Sequence, residues 1–518
     1  MVTMKSRIRR IADKYSWVLL LLAIGLFLSL TITRLTRSSY WFDEAYSAYL
    51  IKFDFKDIIH YTSLDVHPPL YYFILKNWSL IFGNNVISLR SLSIVFGVLT
   101  LLAVYRLARK VTGRRDTAGL TALLLAINPV FVRYGIEARM YMVMCLIAVL
   151  STGVLIDLAR RPNLKKRLAY AVLLTVGMYT HYFLSLVFAA QLIYLICRGV
   201  KQKNLFLKTI ILWLITYLAA VILYLPWLPL ALHQVKAVSM GFWVPDISAA
   251  SPLDFITNFL FNSDASEVTG WLIVPFLATA ISFGAVAMKA KKLHQSKLML
   301  MMILLPIVFL LLMSMPPRES VFLTRYLMPS MICLTIVLAS LITSDGDVRW
   351  QLALLILVII CFSCGIVRVY KVGNYNPYGV GISKISMEGE VMEQIEQSEA
   401  APVIDEGIIA EDGEEYYEHY YEAATWEDKN HPVYFEMKNA KVQGFGSMTM
   451  MTDNKFGRGI NNLNKFLKGH DKIWILQANN KTDAPKPKAM KNWRKVKTVS
   501  AVDPLSGMRL YKATLYQR

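Results

Sequence analysis

Residues 40–49 read YWFDEAYSAY and follow closely on a long apolar run, so two adjacent carboxylates, Asp43 and Glu44, stand among aromatic rings beside a candidate membrane helix. Amphipathic rings favour the headgroup level just beyond a span, so Tyr40, Trp41, Tyr46 and Tyr49 are expected as interfacial anchors. Anchoring does not account for the acids. Carboxylates near a membrane are costly to desolvate and are kept where they pair or serve chemistry. A membrane is required by composition: 55% of the 518 residues are hydrophobic and the mean hydropathy is +0.42, too apolar for a soluble enzyme with an ordinary core.

Crossing a hydrocarbon core of about 30 Å takes about 20 helical residues, somewhat fewer where the flanks snorkel. Apolar stretches at 17–33, 86–107, 120–131, 141–158, 168–180, 183–197, 206–227, 271–288, 298–315, 327–341 and 352–367 predict a polytopic α-helical membrane protein with about eleven transmembrane helices. The first stretch lacks a small-residue cleavage site and is expected as an anchor, not a removed signal peptide. The pair 168–180 and 183–197 could also form one re-entrant unit.

Basic loops are retained on the cytoplasmic side. The segments at 5–10 (KSRIRR), 106–115 (RLARKVTGRR), 160–167 (RRPNLKKR), 198–208 and 289–297 (KAKKLHQSK) are rich in Lys and Arg, whereas the loop 228–270 carries only Lys236. The expected location is the cell membrane, multi-pass, with a cytoplasmic N-terminus and with YWFDEAYSAY outside. The net charge of +20 then reports topology and contact with anionic membrane lipids, and no nucleic-acid partner is expected. The five cysteines, Cys145, Cys197, Cys333, Cys361 and Cys364, fall within or at the ends of apolar spans and read as packing residues.

Hydropathy drops near Tyr370, which divides the chain into a transmembrane domain over residues 1–370 and a polar domain over residues 371–518, expected outside as a small α/β unit. HPVYF (431–435), DKIWILQ (471–477) and MRLYKATL (508–515) predict strands; SMEGEVMEQIEQSE (386–399) and INNLNKFLKG (460–469) predict helices. The acidic run 388–418, with Tyr416, Tyr417, Tyr420 and Tyr421 at and just beyond its end, reads as a solvated face, with a carbohydrate or cation contact as the alternative.

Other outer turns carry further polar groups. LDVHPPLYYF (64–73) holds His67 before two prolines that cannot continue a preceding helix, and its aromatic run is expected at the membrane surface. NPVFVRYGIEARMYM (128–142) brings Arg133, Glu137 and Arg139, with Glu137 and Tyr141 expected one helical turn apart on a shared face. YTHYF (179–183) adds His181, and PPRESVFLTRYLMP (316–329) adds Arg318, Arg325 and Tyr326. Acid, His and Arg mixed with aromatics on one side of the membrane suggest one extracytoplasmic site.

That constellation suits transfer from a lipid-linked phosphate sugar. A carboxylate can take the proton of an acceptor hydroxyl as it attacks the anomeric carbon, and the arginine fork matches the leaving phosphate. Neither a P-loop nor a G-x-G-x-x-G opening a helix is present, in keeping with a donor that is not a nucleotide sugar. No cofactor is clearly implied. A divalent cation stays open, although two neighbouring carboxylates without further ligands are not a metal motif.

The order FDEAYSAY, HPPLYY, YGIEARMY, HYF, RYLMP resembles the membrane-integral GT-C glycosyltransferases, in particular bacterial relatives of protein O-mannosyltransferases and the aminoarabinose transferases, over about the first 370 residues. The resemblance implies an inverting transfer from a polyprenyl-phosphate-linked sugar donor to a glycan, lipid or protein acceptor on the outer face. By it Asp43 matches the general base and Glu44 its acidic neighbour. His67 stands where the similar aminoarabinose transferases often carry a lysine. Glu137 and Arg139 match a second-loop polar pair, and Arg325 with Tyr326 matches a late outer motif near the lipid phosphate. The alternatives are a lipid-linked glycan flippase or transporter, which should place ionisable groups near mid-membrane, and an O-antigen ligase or polymerase, which should have arginine-dominated outer loops.

Overall fold

The computed structural model describes residues 15–36, 40–200, 206–239, 244–268, 270–289, 296–371, 388–406, 408–409, 415–416, 429–436, 459–460, 463–478, 490–502 and 509–518. The chain divides into two compact units. The first comprises Met1–Arg34, His67–Tyr71 and Arg90–Lys371, and the second Leu35–Val66, Tyr72–Leu89 and Val372–Arg518.

The first unit is helical. Each apolar stretch anticipated from hydropathy carries a helix, and the bounds reflect local chemistry. The helix Leu164–Thr180 starts where the Asn163 side chain accepts from the Lys166 N–H at 2.8 Å, and Val86–Thr112 ends at Gly113, whose positive φ of +72° suits glycine. The stretch 120–131 is not one span. The helix Arg115–Ala126 stops, and Pro129–Tyr134 restarts with Asn128 accepting from the Phe131 N–H at 3.1 Å and proline in the first turn.

Among the described residues four helices are long and apolar enough to cross a membrane: Val86–Thr112, Tyr141–Arg160, Thr324–Ile342 and Val348–Tyr370. A fifth arises if Ile210–Tyr224 and Leu228–Val238, bent by 83°, count as one span; Ser16–Ile32, Leu184–Arg198, Ile273–Ser282 and Lys297–Met313 are shorter apolar helices. These apolar helices fit a polytopic helical membrane protein.

Lipid tails are as apolar as leucine, so helices in a bilayer associate by close packing at small residues. At Gly135 a Cβ would lie 2.8 Å from Phe27 Cζ, and at Gly365 2.6 Å from Pro129 Cγ. Phe27 also meets Phe131, ring centroids 5.1 Å apart. Glycine is needed at both contacts, which bind the helices Ser16–Ile32 and Val348–Lys371 to the short helix that precedes Glu137.

In the second unit, Phe42–Leu50 and Phe55–Leu64 are helices, the latter capped by Asp54, which accepts from the Lys56 and Asp57 N–H groups at 2.9 Å. Leu70–Phe82 follows the paired prolines. The C-terminal region forms a six-stranded sheet. Strands β1 (Val403–Glu406), β4 (Val433–Glu436), β5 (Gly459–Ile460), β6 (Lys472–Ala478), β7 (Arg494–Val502) and β8 (Arg509–Gln517) run in the order β5-β4-β1-β6-β8-β7. The first four are parallel and the last two antiparallel to their neighbours, with Val403 opposite both Val433 and Trp474. Period-two alternation sends Ile404, Ile473 and Ile475 into one core with Leu467, Met490 and Trp493. A separate pair, β2 (Ile408–Ile409) with β3 (Glu415–Tyr416), is antiparallel. Tyr417, Tyr420 and Tyr421 lie outside the described residues.

Candidate functional site

In the first unit the chain turns at His67, before Tyr141, at His181 and before Met328 bring one cluster together. His181 caps the C-terminus of Leu164–Thr180, and its ring meets those of His67 at 5.9 Å, Tyr141 at 5.9 Å, Phe183 at 5.8 Å and Tyr326 at 5.1 Å. Phe183 stacks on Tyr326 at 4.2 Å. The Arg325 guanidinium lies 5.7 Å over the rings of both Tyr141 and Tyr326. Arg139 is among the largest fully buried side chains.

The His181 imidazole is 2% exposed, and its Nδ1 accepts from the Phe183 N–H at 3.3 Å. The proton of the neutral ring therefore resides on Nε2, which is buried and has no hydrogen-bond partner among the described residues. Burial holds its pKa well below the ordinary value, and His67, Arg139 and Arg325 lower it further. The result is a neutral N–H donor beside two permanent cations, an environment that favours an anion.

Glu137 is in the same unit but differently engaged. Arg133 Nε lies 3.4 Å from Glu137 Oε1, Arg133 Nη1 donates to Asn262 Oδ1 at 3.3 Å, and Ser93 Oγ donates to the Glu137 carbonyl at 2.5 Å. Glu137 and Tyr141 do not share a helical face. The helix begins only at Tyr141, and Glu137 sits in the turn before it. Ser93 and Asn262 had no signal in the sequence; Asn262 ends the helix Ser251–Phe261 in the left-handed region at φ 50°, which asparagine tolerates.

Asp43 and Glu44 belong to the second unit and occupy the first turn of Phe42–Leu50, not a loop. The positive end of a helix dipole favours carboxylates at that position. Asp43 is half-buried and Glu44 buried. The surrounding aromatics are not headgroup anchors: Tyr40, Trp41, Tyr46 and Tyr49 are all buried, and Tyr46 packs edge-on against Tyr72 at 6.0 Å. Tyr71 and Tyr72 are likewise fully buried, while Leu70 and Phe73 of the same run are half-buried.

Among the described residues no three His, Cys, Asp or Glu side chains converge in a way that could hold a metal ion.

The family model for dolichyl-phosphate-mannose-protein mannosyltransferases matches residues 66–229. ArnT from Cupriavidus metallidurans bound to undecaprenyl phosphate is similar in structure with a TM-score of 0.59 at 12% identity, over 96% of this chain and 98% of that one. Its apo state gives 0.55 at 13% identity, over 96% and 97%. This is the GT-C fold. The resemblance to O-mannosyltransferases and ArnT read from the motifs is borne out in fold and in the matched segment. An uncharacterized protein of Aquifex aeolicus (strain VF5) is 38% identical over 65 residues, 12% of this chain and 13% of that relative's length. The segment matching the mannosyltransferase model contains His67, Glu137, Arg139 and His181; Asp43, Glu44, Arg325 and Tyr326 lie outside it.

Proposed function

We propose that this GT-C protein is an inverting glycosyltransferase that moves a sugar from a polyprenyl-phosphate donor to an acceptor on the outer face of the cytoplasmic membrane. The observation that carries this reading is the buried, neutral His181 beside Arg139 and Arg325, two cations and one N–H donor suited to a single phosphate. The undecaprenyl phosphate bound to the structurally similar ArnT supports a lipid phosphate as the anion.

In the proposed reaction the acceptor hydroxyl oxygen bonds to the anomeric carbon as the bond from that carbon to the phosphate oxygen breaks. Asp43 takes the hydroxyl proton, and Glu44 beside it orients the acceptor or raises the basicity of its neighbour. The leaving lipid phosphate keeps the electron pair, and Arg139, Arg325 and the His181 Nε2–H stabilise its charge without proton transfer. His67, Glu137 and Tyr326 shape the donor pocket. About eleven membrane passages, a transmembrane catalytic domain over residues 1–370 with a cytoplasmic N-terminus, and an extracytoplasmic α/β domain over residues 371–518 complete the proposal.

The test is transfer by purified protein from a panel of radiolabelled polyprenyl-phosphate sugars, comparing wild type with Asp43→Asn. Turnover of one donor with a loss of at least ~10²-fold in the variant is expected for removal of a general base. Equal turnover by both proteins removes Asp43 from the mechanism, and no turnover of any donor by folded wild type returns the protein to the transporter reading.

A further inference from the structure

The tyrosine next to His181 is held from a different direction. The Tyr182 hydroxyl donates to Gln234 Oε1 and accepts from Trp227 Nε1–H at 2.8 Å, so one oxygen both gives and receives a hydrogen bond. Three residues earlier, Tyr179 packs edge-on against Tyr224 at 5.1 Å and its hydroxyl donates to the Leu223 carbonyl at 3.3 Å. All four contacts run from residues 179–182 to the bent pair Ile210–Tyr224 and Leu228–Val238, three of them to residues beside its 83° break and one to Gln234 within the second helix. Trp227 and Gln234 are buried there, while Leu232 and Val235 of the same short helix are exposed. The buried amide of Gln234 thus serves Tyr182 while the apolar side chains of its helix point away.

We propose that Tyr182, Trp227 and Gln234 form a clamp that positions the turn bearing His181, and that they are positioning residues for the anion site. His181 and Tyr182 are consecutive, so their side chains leave the backbone in different directions. One enters the Arg139–Arg325 cluster, and the other is fixed to the broken helix. Within the turn, His181 N–H donates to the Gly177 carbonyl at 2.9 Å and Leu184 N–H to the His181 carbonyl at 3.1 Å, both local bonds that would survive a rigid shift of the turn. A lost clamp therefore moves Nε2 without unwinding either flanking helix. The importance of that movement for donor binding rests on the reading that His181 contacts the donor phosphate.

The experiment uses full-length protein and the variants Tyr182→Phe and Trp227→Phe, each of which deletes hydrogen bonds while keeping an aromatic ring. Acylation of His181 by diethyl pyrocarbonate is followed by peptide mass spectrometry against His60, an exposed internal reference, and donor KM and kcat are measured in parallel. Both variants should acylate His181 about five- to tenfold faster, the effect of losing one hydrogen bond of ordinary strength, with KM raised by a similar factor and kcat within about twofold. Unchanged labelling of His181 in both folded variants overturns the clamp. Faster labelling with unchanged KM overturns the positioning role. If wild type turns over no donor, the proposed function fails while the labelling comparison still decides whether the clamp exists.

Discussion

Two buried polar clusters in the first unit are built on opposite plans. Between the helices Tyr141–Arg160, Leu164–Thr180 and Leu184–Val200, the Gln191 amide accepts from the Tyr170 hydroxyl at 2.7 Å and donates to Ser151 Oγ at 3.1 Å and Thr152 Oγ1 at 3.0 Å. The Tyr217 hydroxyl lies 2.9 Å from the Tyr170 hydroxyl and 2.9 Å from the Phe188 carbonyl, and its one proton serves one of these two contacts at a time. Every member of that network is neutral and bonded. Around His181 two guanidinium groups and the His67 imidazole stand among aromatic rings, and the buried Nε2–H of His181 has no partner among the described residues. In a low-dielectric interior a satisfied neutral network holds helices in register, whereas a donor left without a partner beside two guanidinium groups costs stability unless a ligand compensates it. The contrast separates polar groups that serve the fold from those that serve a substrate.

Breaking that contrast should have its largest effect at Arg325. Replacement by lysine keeps the charge and loses the planar fork, so Arg325→Lys should raise donor KM about 10- to 30-fold, read from initial rates of transfer, as expected for exchanging bidentate contact for a point charge. An unchanged KM would mean that Arg325 serves the fold by stacking on Tyr141 and Tyr326. His181→Phe comes next. It keeps a ring against Phe183 and Tyr326 and removes one neutral donor, so KM should rise about fivefold.

A third effect is on stability and has a definite sign. The folded-state pKa of His181 is depressed, mainly by burial. Below about pH 6.5 the unfolded chain takes up a proton there that the folded chain refuses, so stability should fall as pH is lowered from 7 towards 5 and be unaffected by this group above pH 7. On acidification wild type should lose stability that His181→Phe retains, so the difference between their unfolding curves should change with pH. Parallel curves would show that His181 does not titrate differently in the two states.

Much of this was legible in the sequence, for physical reasons that also mark where reading stopped. Apolar runs are local, so each anticipated stretch has its helix. Asn128-Pro129, an N-cap followed by a first-turn proline, did announce the break inside 120–131, but an apolar window averages over it. The residues of the His181 cluster were all chosen from their outer-turn context, yet their convergence from positions 67, 139, 181 and 325 depends on packing that no local pattern contains. The aromatics of YWFDEAYSAY were misread because a ring at a headgroup and a ring in a protein core share the same neighbours in sequence. Tyr46 against Tyr72 is a contact between separate helices.

The smallest expected effect on transfer is at Gln191, and there the contrast becomes quantitative. Gln191→Leu leaves the Tyr170 hydroxyl with Tyr217 alone and Ser151 and Thr152 without a donor. The folded state should lose about 1–3 kcal/mol while donor KM stays within about twofold. Adding Tyr170→Phe removes the other partner of the bond already lost, so the double variant should be less destabilised than the sum of the two single ones. The corresponding pair at the other cluster, His181→Phe with Arg325→Lys, should instead be close to additive in KM, each change weakening a separate contact to the same anion. Non-additive stability at Gln191 with additive KM at His181 is the pattern expected if the first cluster is complete within the protein and the second is completed by its substrate. The reverse pattern would make His181 and Arg325 members of the scaffold.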